Sequence, residues 1–222
     1  MNALDALREE TAALSSVLNT LEPSLFELPT NCPPWNLREL VVHTAASVAL
    51  RAALPAAEPG SVPSTAADYY RRPERDTVQY RQQNVDRTVQ LAARLPSGTT
   101  PARWFDEVTR DAMTKLDDDL DRIVQISQRG AMRLTDWVLT RVISIAAHGL
   151  DVAITLGRTP WTTAEALAAI RPVLVELVGA EPPAALGWDD HAFLATATGR
   201  RALTGEEENL LGPLRERFPV LS

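Results

Sequence analysis

The sequence predicts a mainly α protein, with a four- or five-helix bundle to about residue 157 and a smaller appendage after it. Apolar residues recur at intervals of three and four along several segments, which is typical of amphipathic helices. The alternation of apolar and polar residues that indicates strands is almost lacking. We therefore divide the 222 residues into a helical bundle at 1–157 and a small, mostly helical C-terminal segment at 158–222.

Charge and composition exclude several classes of function. A net charge of −7 argues against general nucleic-acid or anionic-membrane binding, because surfaces that bind phosphate are basic. A single cysteine rules out an internal disulfide. The N-terminus does not resemble a signal peptide, and no uninterrupted apolar stretch approaches the ~18–20 residues that span a bilayer. We expect a cytoplasmic protein that does not enter a membrane.

The first half of the chain contains two well-marked helices. Leucines spaced three and four apart predict a first helix from about Leu4 to Leu21, and Pro23 marks its end. Asn36 and Glu39 have the spacing of a capping box, in which each side chain accepts a hydrogen bond from the other residue's backbone. A second helix is expected from there to about Leu54.

The middle and the end of the chain are predicted to be helical as well. A third helix is expected from about Thr65 or Glu74 to Leu95, with Val78, Val85, Val89 and Ala92 towards the core. Another helical pattern follows, formed by Met113, Leu116, Leu120 and Ile123. In the appendage we expect helices at 163–178, with Pro172 kinking or shortening it, at 190–198, and from Thr204 towards Phe218.

The stretch from Thr135 to Leu156 is apolar around most of a helical circumference, with Thr135 as its expected cap. A helix of this kind is a core helix. One polar line runs along it at spacings of three and four: Arg141, Ser144, His148, Asp151 and Thr155. Polar groups in a core helix are either satisfied internally or used for function.

Two of the three histidines lie on long predicted helices that a bundle would bring together. His43 and His148 would then be candidate ligands for zinc, since bundle cores assemble metal sites from facing helices. A third ligand is expected one helical turn from His148, where Ser144 is not a normal zinc ligand. Asp151 would ligate the metal or orient His148. The alternative is that both histidines are ordinary core residues. Cys32 has no histidine near it in the sequence, which favours an ordinary loop residue.

Three segments resemble a known family. CPPWNLRELVVHTAAS resembles the opening motif C-P-G-W-x-x-R-D-L-x-x-H of the mycothiol-dependent maleylpyruvate isomerase family, which has the DinB-like four-helix bundle. LTDWVLTRVISIAAHGLDVAITLGR resembles the second motif, an arginine followed by E-x-x-x-H-x-x-D. The tail DDHAFLATATGRRALTGEEENLLGPLRERFPVL resembles the C-terminal segment of actinobacterial relatives.

The resemblance implies a site. A divalent metal, usually zinc, would be held by His43 and His148, and mycothiol would be the cosubstrate. Ser144 stands where the family has its glutamate ligand, so this site would be weaker, use other oxygen ligands or be absent. Asp151 matches the second acidic position and is assigned a catalytic role. Arg141 and Arg200 match recurring arginines, assigned to catalysis and to binding the thiol or a substrate carboxylate.

Three functions are compatible with these residues. The first is a thiol-dependent metalloenzyme, an isomerase or S-transferase acting on a small electrophilic molecule. The second is a metal-free enzyme of the same family in small-molecule biosynthesis, with histidine as acid or base. The third is a non-catalytic protein that binds a small molecule or regulates, on the same scaffold. The expected partners are a small-molecule substrate and a low-molecular-weight thiol, and a homodimer stays open.

Overall fold

The computed structural model describes residues 2–50, 53–116, 118–126 and 130–221, with the backbone alone at Asp76. Its helices and strands, in chain order, are α1 (Ala3–Leu18), α2 (Leu37–Val48), α3 (Ala66–Tyr70), α4 (Val78–Ala93), α5 (Pro101–Thr114), β1 (Ile123–Ile126), β2 (Gly130–Arg133), α6 (Leu134–Leu156), α7 (Ala164–Val178), α8 (Asp190–Ala197) and α9 (Gly205–Leu211).

Four of these helices form the bundle: α1 and α2 both pack against α6, and α5 packs against α1 and α2. The predicted fold class, mainly α with a DinB-like bundle, is confirmed. The capping box at the start of α2 is present, with the Asn36 side chain accepting from the Glu39 backbone at 3.0 Å and the Glu39 carboxylate accepting from the Asn36 backbone at 3.0 Å. This cap fixes the start of α2.

The core helix of the molecule is α6, as the apolar pattern predicts. Its apolar side chains are almost all buried, and it ends at Gly157, whose φ of 60° is left-handed. By length and composition α6 would qualify as a membrane span, although Arg141, His148 and Asp151 interrupt its apolar run. Most of it is buried inside the protein, as is usual for a core helix. The cytoplasmic location stays a prediction.

The helix expected through Met113 and Ile123 is wrong. The helix there is α5, which begins after the Thr100 cap and ends at Thr114. Ile123 instead opens a two-stranded antiparallel hairpin, in which Val124 pairs with Met132. Strands of four residues are too short to show a clear alternation. The spacing of three and four arose by coincidence, because Met113 lies at the end of a helix and Ile123 at the start of a strand.

Of the two starts expected for the third helix, the one at Thr65 is wrong, because the segment forms two helices, α3 and α4, with a 3₁₀ turn at Pro73–Asp76 between them. The start near Glu74 is closer to that of α4, which runs from Val78 to Ala93. Val78 and Val89 do not face the core: their exposed fractions are 74% and 39%. On α4 only Thr88 and Ala92 are buried among the described residues. The reason is that α4 packs on the bundle through α2 along one narrow face.

Several predicted helix ends also differ. The first helix ends at Leu18, the second at Val48 rather than Leu54, and the last at Leu211, followed by a 3₁₀ helix. Thr135 is not the cap of α6. The capping position is Arg133, without a side-chain bond, and the Thr135 hydroxyl donates to the Leu120 carbonyl at 2.8 Å instead. That bond fastens α6 to the turn before β1.

The C-terminal segment packs closely on the bundle. Helix α7 runs through Pro172 without ending and lies against α1 and α6. Helix α8 packs on α7 and also reaches α6. Gly199, with φ of 73°, turns the chain after α8 so that Arg200 points back to α6. The division into domains at residue 157 stays a prediction.

Candidate functional site

The two histidines predicted to meet do lie side by side. His43 on α2 and His148 on α6 have ring centroids 5.1 Å apart, with the ring planes at 87°. The indole of Trp35, in the loop before α2, lies 4.5 Å from the His43 ring. Its buried Nε1 has no hydrogen-bond acceptor within the described residues. The packing of α2 on α6 therefore creates a cluster of three rings, two of which can bind a metal or move a proton.

Asp151 holds His148 in a fixed orientation. Its Oδ2 lies 3.0 Å from His148 Nδ1, so the Nδ1–H tautomer is favoured and Nε2 carries the lone pair. The same carboxylate accepts from Asn31 at 2.7 Å and from Arg200 at 2.9 and 2.7 Å. Burial alone would raise the pKa of Asp151, but the hydrogen bonds from His148 and Arg200 outweigh it and hold that pKa well below its usual range.

Each of the three guanidinium nitrogens of Arg200 donates a hydrogen bond within the protein. Its Nε and Nη2 donate to Asp151, and its Nη1 donates to the carbonyl of Thr198. Two parallel bonds from a guanidinium to one carboxylate form a strong, directional pair. The predicted role of Arg200 in binding an anion therefore has little geometric support, and its contacts suit positioning of Asp151 instead.

Cys32 lies close to a histidine in space, contrary to the expectation that it is an ordinary loop residue without one nearby. Its thiol and ligand atoms of His148 and Asp151 all lie within 4.8 Å of one another, so a histidine is close in space. Burial raises the pKa of Cys32 to about 12, with the charge of Asp151 adding to the effect and that of Arg200 opposing it. The thiol is therefore neutral at physiological pH. The feature of the sequence that could have indicated this location is that Cys32 begins the opening motif, which also contains His43.

Arg141 lies at the opposite end of the polar line and is buried, with an exposed fraction of 8%. Its Nη1 donates to the Ser47 carbonyl at 2.5 Å and its Nε to the Thr140 hydroxyl at 3.0 Å. The guanidinium carbon lies 5.1 Å from the Tyr69 ring centroid and 5.3 Å from that of Trp137. Among the described contacts of Arg141 there is no carboxylate, and none involves Nη2.

Ser144 lies between these two ends. Its hydroxyl donates to the Ser47 hydroxyl at 3.0 Å, which joins α6 to α2. At the position where the resemblance implies a carboxylate ligand, the structure thus has a neutral pair of hydroxyls. Ser47 was not identified from the sequence, because a serine in an apolar helix carries no motif of its own.

His43 is held in its neutral form. Its Nδ1 lies 3.2 Å from the Thr88 hydroxyl on α4. Burial lowers the pKa of His43 to about 3, with further lowering from His148 and from the charges of Arg141, Arg75 and Arg87. A neutral imidazole is the form that binds a metal or accepts a proton. The arginines also make this part of an acidic protein locally positive.

The donor atoms fit a divalent metal in kind, but they do not form one complete set. The group of three that lies within 4.8 Å in the described part of the chain is Cys32, His148 and Asp151, and it does not include His43. His43 and His148 supply two imidazoles, one of them oriented by a carboxylate as metal-binding histidines usually are. Catalytic zinc sites have three protein ligands, and Ser144 offers only a hydroxyl. Asp151 is a poor substitute, because four N–H donors already occupy its oxygens and a guanidinium contacts it.

Comparison with known families agrees with this geometry. The model of the mycothiol maleylpyruvate isomerase N-terminal domain matches residues 7–153, a range that includes both histidines, Arg141 and Asp151 but ends before Arg200. No curated protein and no solved structure matches the chain. Because the family model covers well over half of the 222 residues, the chain belongs to the mycothiol maleylpyruvate isomerase N-terminal domain family.

Proposed function

We propose that this chain is a thiol-dependent enzyme that binds a low-molecular-weight thiol of the mycothiol kind and acts on a small electrophilic molecule, as an isomerase or an S-transferase. The observation that carries the proposal is the pair of adjacent imidazoles, His43 and His148, the second fixed by Asp151. Two adjacent imidazoles are donor groups suited to holding a divalent metal, most simply zinc. That metal, when bound, would lower the pKa of the thiol and supply a thiolate at neutral pH.

The thiolate sulfur would add to one carbon of a conjugated double bond, and the electron pair of that bond would move towards the conjugated carbonyl. In an isomerase, rotation about the resulting single bond and expulsion of the thiolate return the double bond in its other geometry. In an S-transferase, the carbanion takes up the proton that the thiol lost, and the thioether is the product. Both routes balance without an oxidant or a reductant.

The chain's own residues would orient these reactants. Asp151 keeps His148 in one tautomer, and Thr88 contacts the Nδ1 of His43. Arg141, held by its bond to Ser47 on α2 and by two aromatic rings, would attract an anionic group of the substrate or of the thiol. Arg200 acts on His148 only through Asp151, so we assign it to positioning.

A metal-free enzyme of the same family is the second candidate. It is favoured by the hydrogen bond between Ser144 and Ser47, which places a neutral pair where a metal would need a charged ligand. In that case His148, paired with Asp151, would act as the general base that deprotonates the thiol.

Metal analysis and a thiol-addition assay separate these candidates. Full-length protein purified without chelator is expected to carry close to one equivalent of zinc or another divalent metal, and His148→Ala is expected to lose it. The assay measures addition of mycothiol to a conjugated enone acid, which we expect His148→Ala to slow at least about a hundredfold. His191→Ala is the matched control, because His191 lies on α8 and is not part of the pair formed by His43 and His148. Less than half an equivalent of metal with activity retained would favour the metal-free enzyme, and no thiol-dependent activity would overturn both.

A further inference from the structure

We propose that α4 is a lid over the pair of histidines and that Arg75 is the latch that holds this lid closed. The lid moves away from α2 about the turn that follows α4, which uncovers His43 and gives a small molecule a path to both rings. What the opening is for rests on the proposed function, whereas the opening itself can be measured without any activity.

Helix α4 is weakly attached to the bundle. Within the described part of the chain, two of its sixteen residues are buried, Thr88 and Ala92, against five of fourteen in the neighbouring α5. Its main contact is with α2, and Val78 in its first turn is 74% exposed. Segments that open locally are those with few buried apolar contacts. We therefore expect α4 to open at a lower free energy than α5.

The group that α4 covers is His43. Thr88 is 3% exposed, and its hydroxyl lies 3.2 Å from Nδ1 of His43. The same ring also lies beside Trp35 and His148, and the side chain of His148 is only 15% exposed. A reactant that has to contact both imidazoles therefore needs one of the surrounding elements to move. Of α2, α4 and α6, the helix with the fewest buried residues is α4.

Arg75 lies in the 3₁₀ turn before α4 and joins α4 to α3. Its guanidinium carbon is 5.4 Å from the ring centroid of Tyr69 and 5.0 Å from that of Tyr70, both on α3. It is also 5.9 Å from the ring centroid of Tyr80, in the first turn of α4. All three distances are in the range of an attractive cation–π contact. Arg75 is half-buried, so its guanidinium reaches water when these contacts break, as a reversible latch requires.

The elements at the two ends of α4 suit a fixed support and a hinge. Helix α3 is fixed to α6, because the Tyr70 hydroxyl donates to the Thr140 carbonyl at 2.9 Å. Asp136 on α6 also accepts from the backbone N–H of Ala66 at 2.8 Å. At the other end, the turn after α4 contains Gly98, with φ of 78°, where a Cβ would meet nothing within 4 Å. This turn has the space to change its backbone angles, as hinges do.

Thiol labelling measures the opening. Ala92→Cys places a thiol on the buried face of α4, where Ala92 is 5% exposed, and Ala112→Cys places one on α5, where Ala112 is fully buried. Full-length protein is treated with excess iodoacetamide, and peptide mass spectrometry separates each label from that on Cys32. We expect the thiol on α4 to be labelled at least about tenfold faster than that on α5. If a variant does not fold, hydrogen exchange of the wild type serves, with the same expected ratio between the amides of α4 and α5.

Arg75→Gln tests the latch. It removes cation–π contacts with three rings, so it should raise the labelling rate of Ala92→Cys at least about fivefold and leave that of Ala112→Cys unchanged. Arg81→Gln is the matched control, because Arg81 is an exposed arginine of α4 without a side-chain hydrogen bond or ion pair among the described residues. It should change neither rate.

Modification by diethyl pyrocarbonate, which acylates neutral imidazoles, tests what the opening uncovers. Mapped by mass spectrometry on protein with the native histidines, the modification of His43 should be slow in the wild type. Arg75→Gln should accelerate it by the same factor as the thiol labelling. His191 on α8 is the internal reference, and its rate should stay unchanged.

The outcomes separate the lid from the proposed function. Equal labelling of the two thiols, together with equal hydrogen exchange of α4 and α5, would overturn the lid whatever the activity. Faster labelling on α4 that Arg75→Gln does not change would overturn the latch, and an unchanged rate at His43 would overturn the covering role. If all three results are as expected and the thiol-addition assay shows no activity, the lid stands and the proposed function alone is wrong.

Discussion

The polar line on α6 has two ends with opposite states of charge. At one end, the buried carboxylate of Asp151 is matched by a guanidinium, an amide and an imidazole, all within 3.0 Å. At the other end, the buried guanidinium of Arg141 has no carboxylate among its described contacts. The two ends lie on the same core helix, about 15 Å apart along its axis from the rise of 1.5 Å per residue.

The difference distinguishes a charge that stabilises the structure from a charge that is free to bind a ligand. A buried charge with all its partners inside the protein contributes to the structure and has little capacity left for a ligand. A buried charge held in place but unpaired is unfavourable in the free protein and is compensated when an oppositely charged ligand binds. Arg141 is buried and the Arg200 side chain is only 13% exposed, yet of the two only Arg141 is suited to meet an anion.

We call the end of the polar line at Asp151 the closed end and the end at Arg141 the open end. The largest expected effect is at the closed end. Arg200→Met keeps the apolar stem but removes both bonds to Asp151, which leaves a carboxylate with no exposed surface without its cation. Breaking a buried pair from one side costs about 3–5 kcal/mol of unfolding free energy. Urea unfolding would measure it. Arg158→Met, at an exposed position with one long bond of 3.5 Å to Thr20, is the control and should change stability by less than about 0.5 kcal/mol. Equal effects of the two would contradict the comparison.

A second buried acid, Glu10 on α1, lies between these extremes. One of its oxygens accepts from the Thr163 backbone at 2.8 Å, and the other is buried without a donor in the described residues. Burial raises the pKa of Glu10, against the lowering effect of the bond from Thr163. Because the folded-state pKa is above the unfolded value, the contribution of Glu10 to stability is fully present below the unfolded pKa and is lost as the pH rises through the folded pKa.

Glu10→Gln should therefore remove one pH-dependent part of stability. We expect the difference in unfolding free energy, wild type minus variant, to fall by about 1–2 kcal/mol between pH 4 and pH 8, the size of the penalty for an unpaired buried group. Urea unfolding at several pH values measures it. The exposed Glu9→Gln is the control and should give a flat difference. A difference that rises with pH would show that Glu10 is stabilised as a carboxylate, like Asp151.

Substitution at the open end should change ligand binding much more than stability, in contrast to the closed end. Arg141→Met removes two aromatic contacts and the hydrogen bonds to a carbonyl and a hydroxyl, but it also removes a buried charge with no counter-ion among its described contacts. We expect these to offset each other, with a change in unfolding free energy of no more than about 1 kcal/mol. The Michaelis constant for an anionic electrophile should rise at least about tenfold, which corresponds to one lost charged contact. A loss of stability equal to that of Arg200→Met would mean that Arg141 is a structural residue.

The fold was largely predictable, because α1, α2 and α6 carry strong periodic patterns and marked ends. The errors fall where those signals are weak. Val78 and Val89 belong to a helix that touches the bundle on one narrow face, so their apolar character does not report burial. Ile123 lies in a strand of four residues whose partner comes from the hairpin, and a pairing of this kind cannot be recognised from so short a run.

The site was predictable only in part, for a related reason. His43, His148 and Asp151 lie on helices at helical spacings, so the sequence indicated that they could meet. Cys32 and Asn31 lie in a loop whose path depends on tertiary packing, and no local pattern places them beside Asp151. Arg200 was identified as a site residue, but its pairing with Asp151 depends on a turn at Gly199 and on the docking of α8.

The smallest expected effect concerns the hydroxyls at the open end. Ser47→Ala and Ser144→Ala each remove one partner of the bond of 3.0 Å between α2 and α6. A double-mutant cycle measured by urea unfolding isolates their coupling. We expect about 0.5–1 kcal/mol, typical of a neutral hydrogen bond that is partly exposed to water. A coupling several times larger would mean that the pair fastens the two helices, as Asp151 and Arg200 fasten the other end. A small one means that the two hydroxyls can exchange this bond for one to a ligand at little loss, which is what an open end requires.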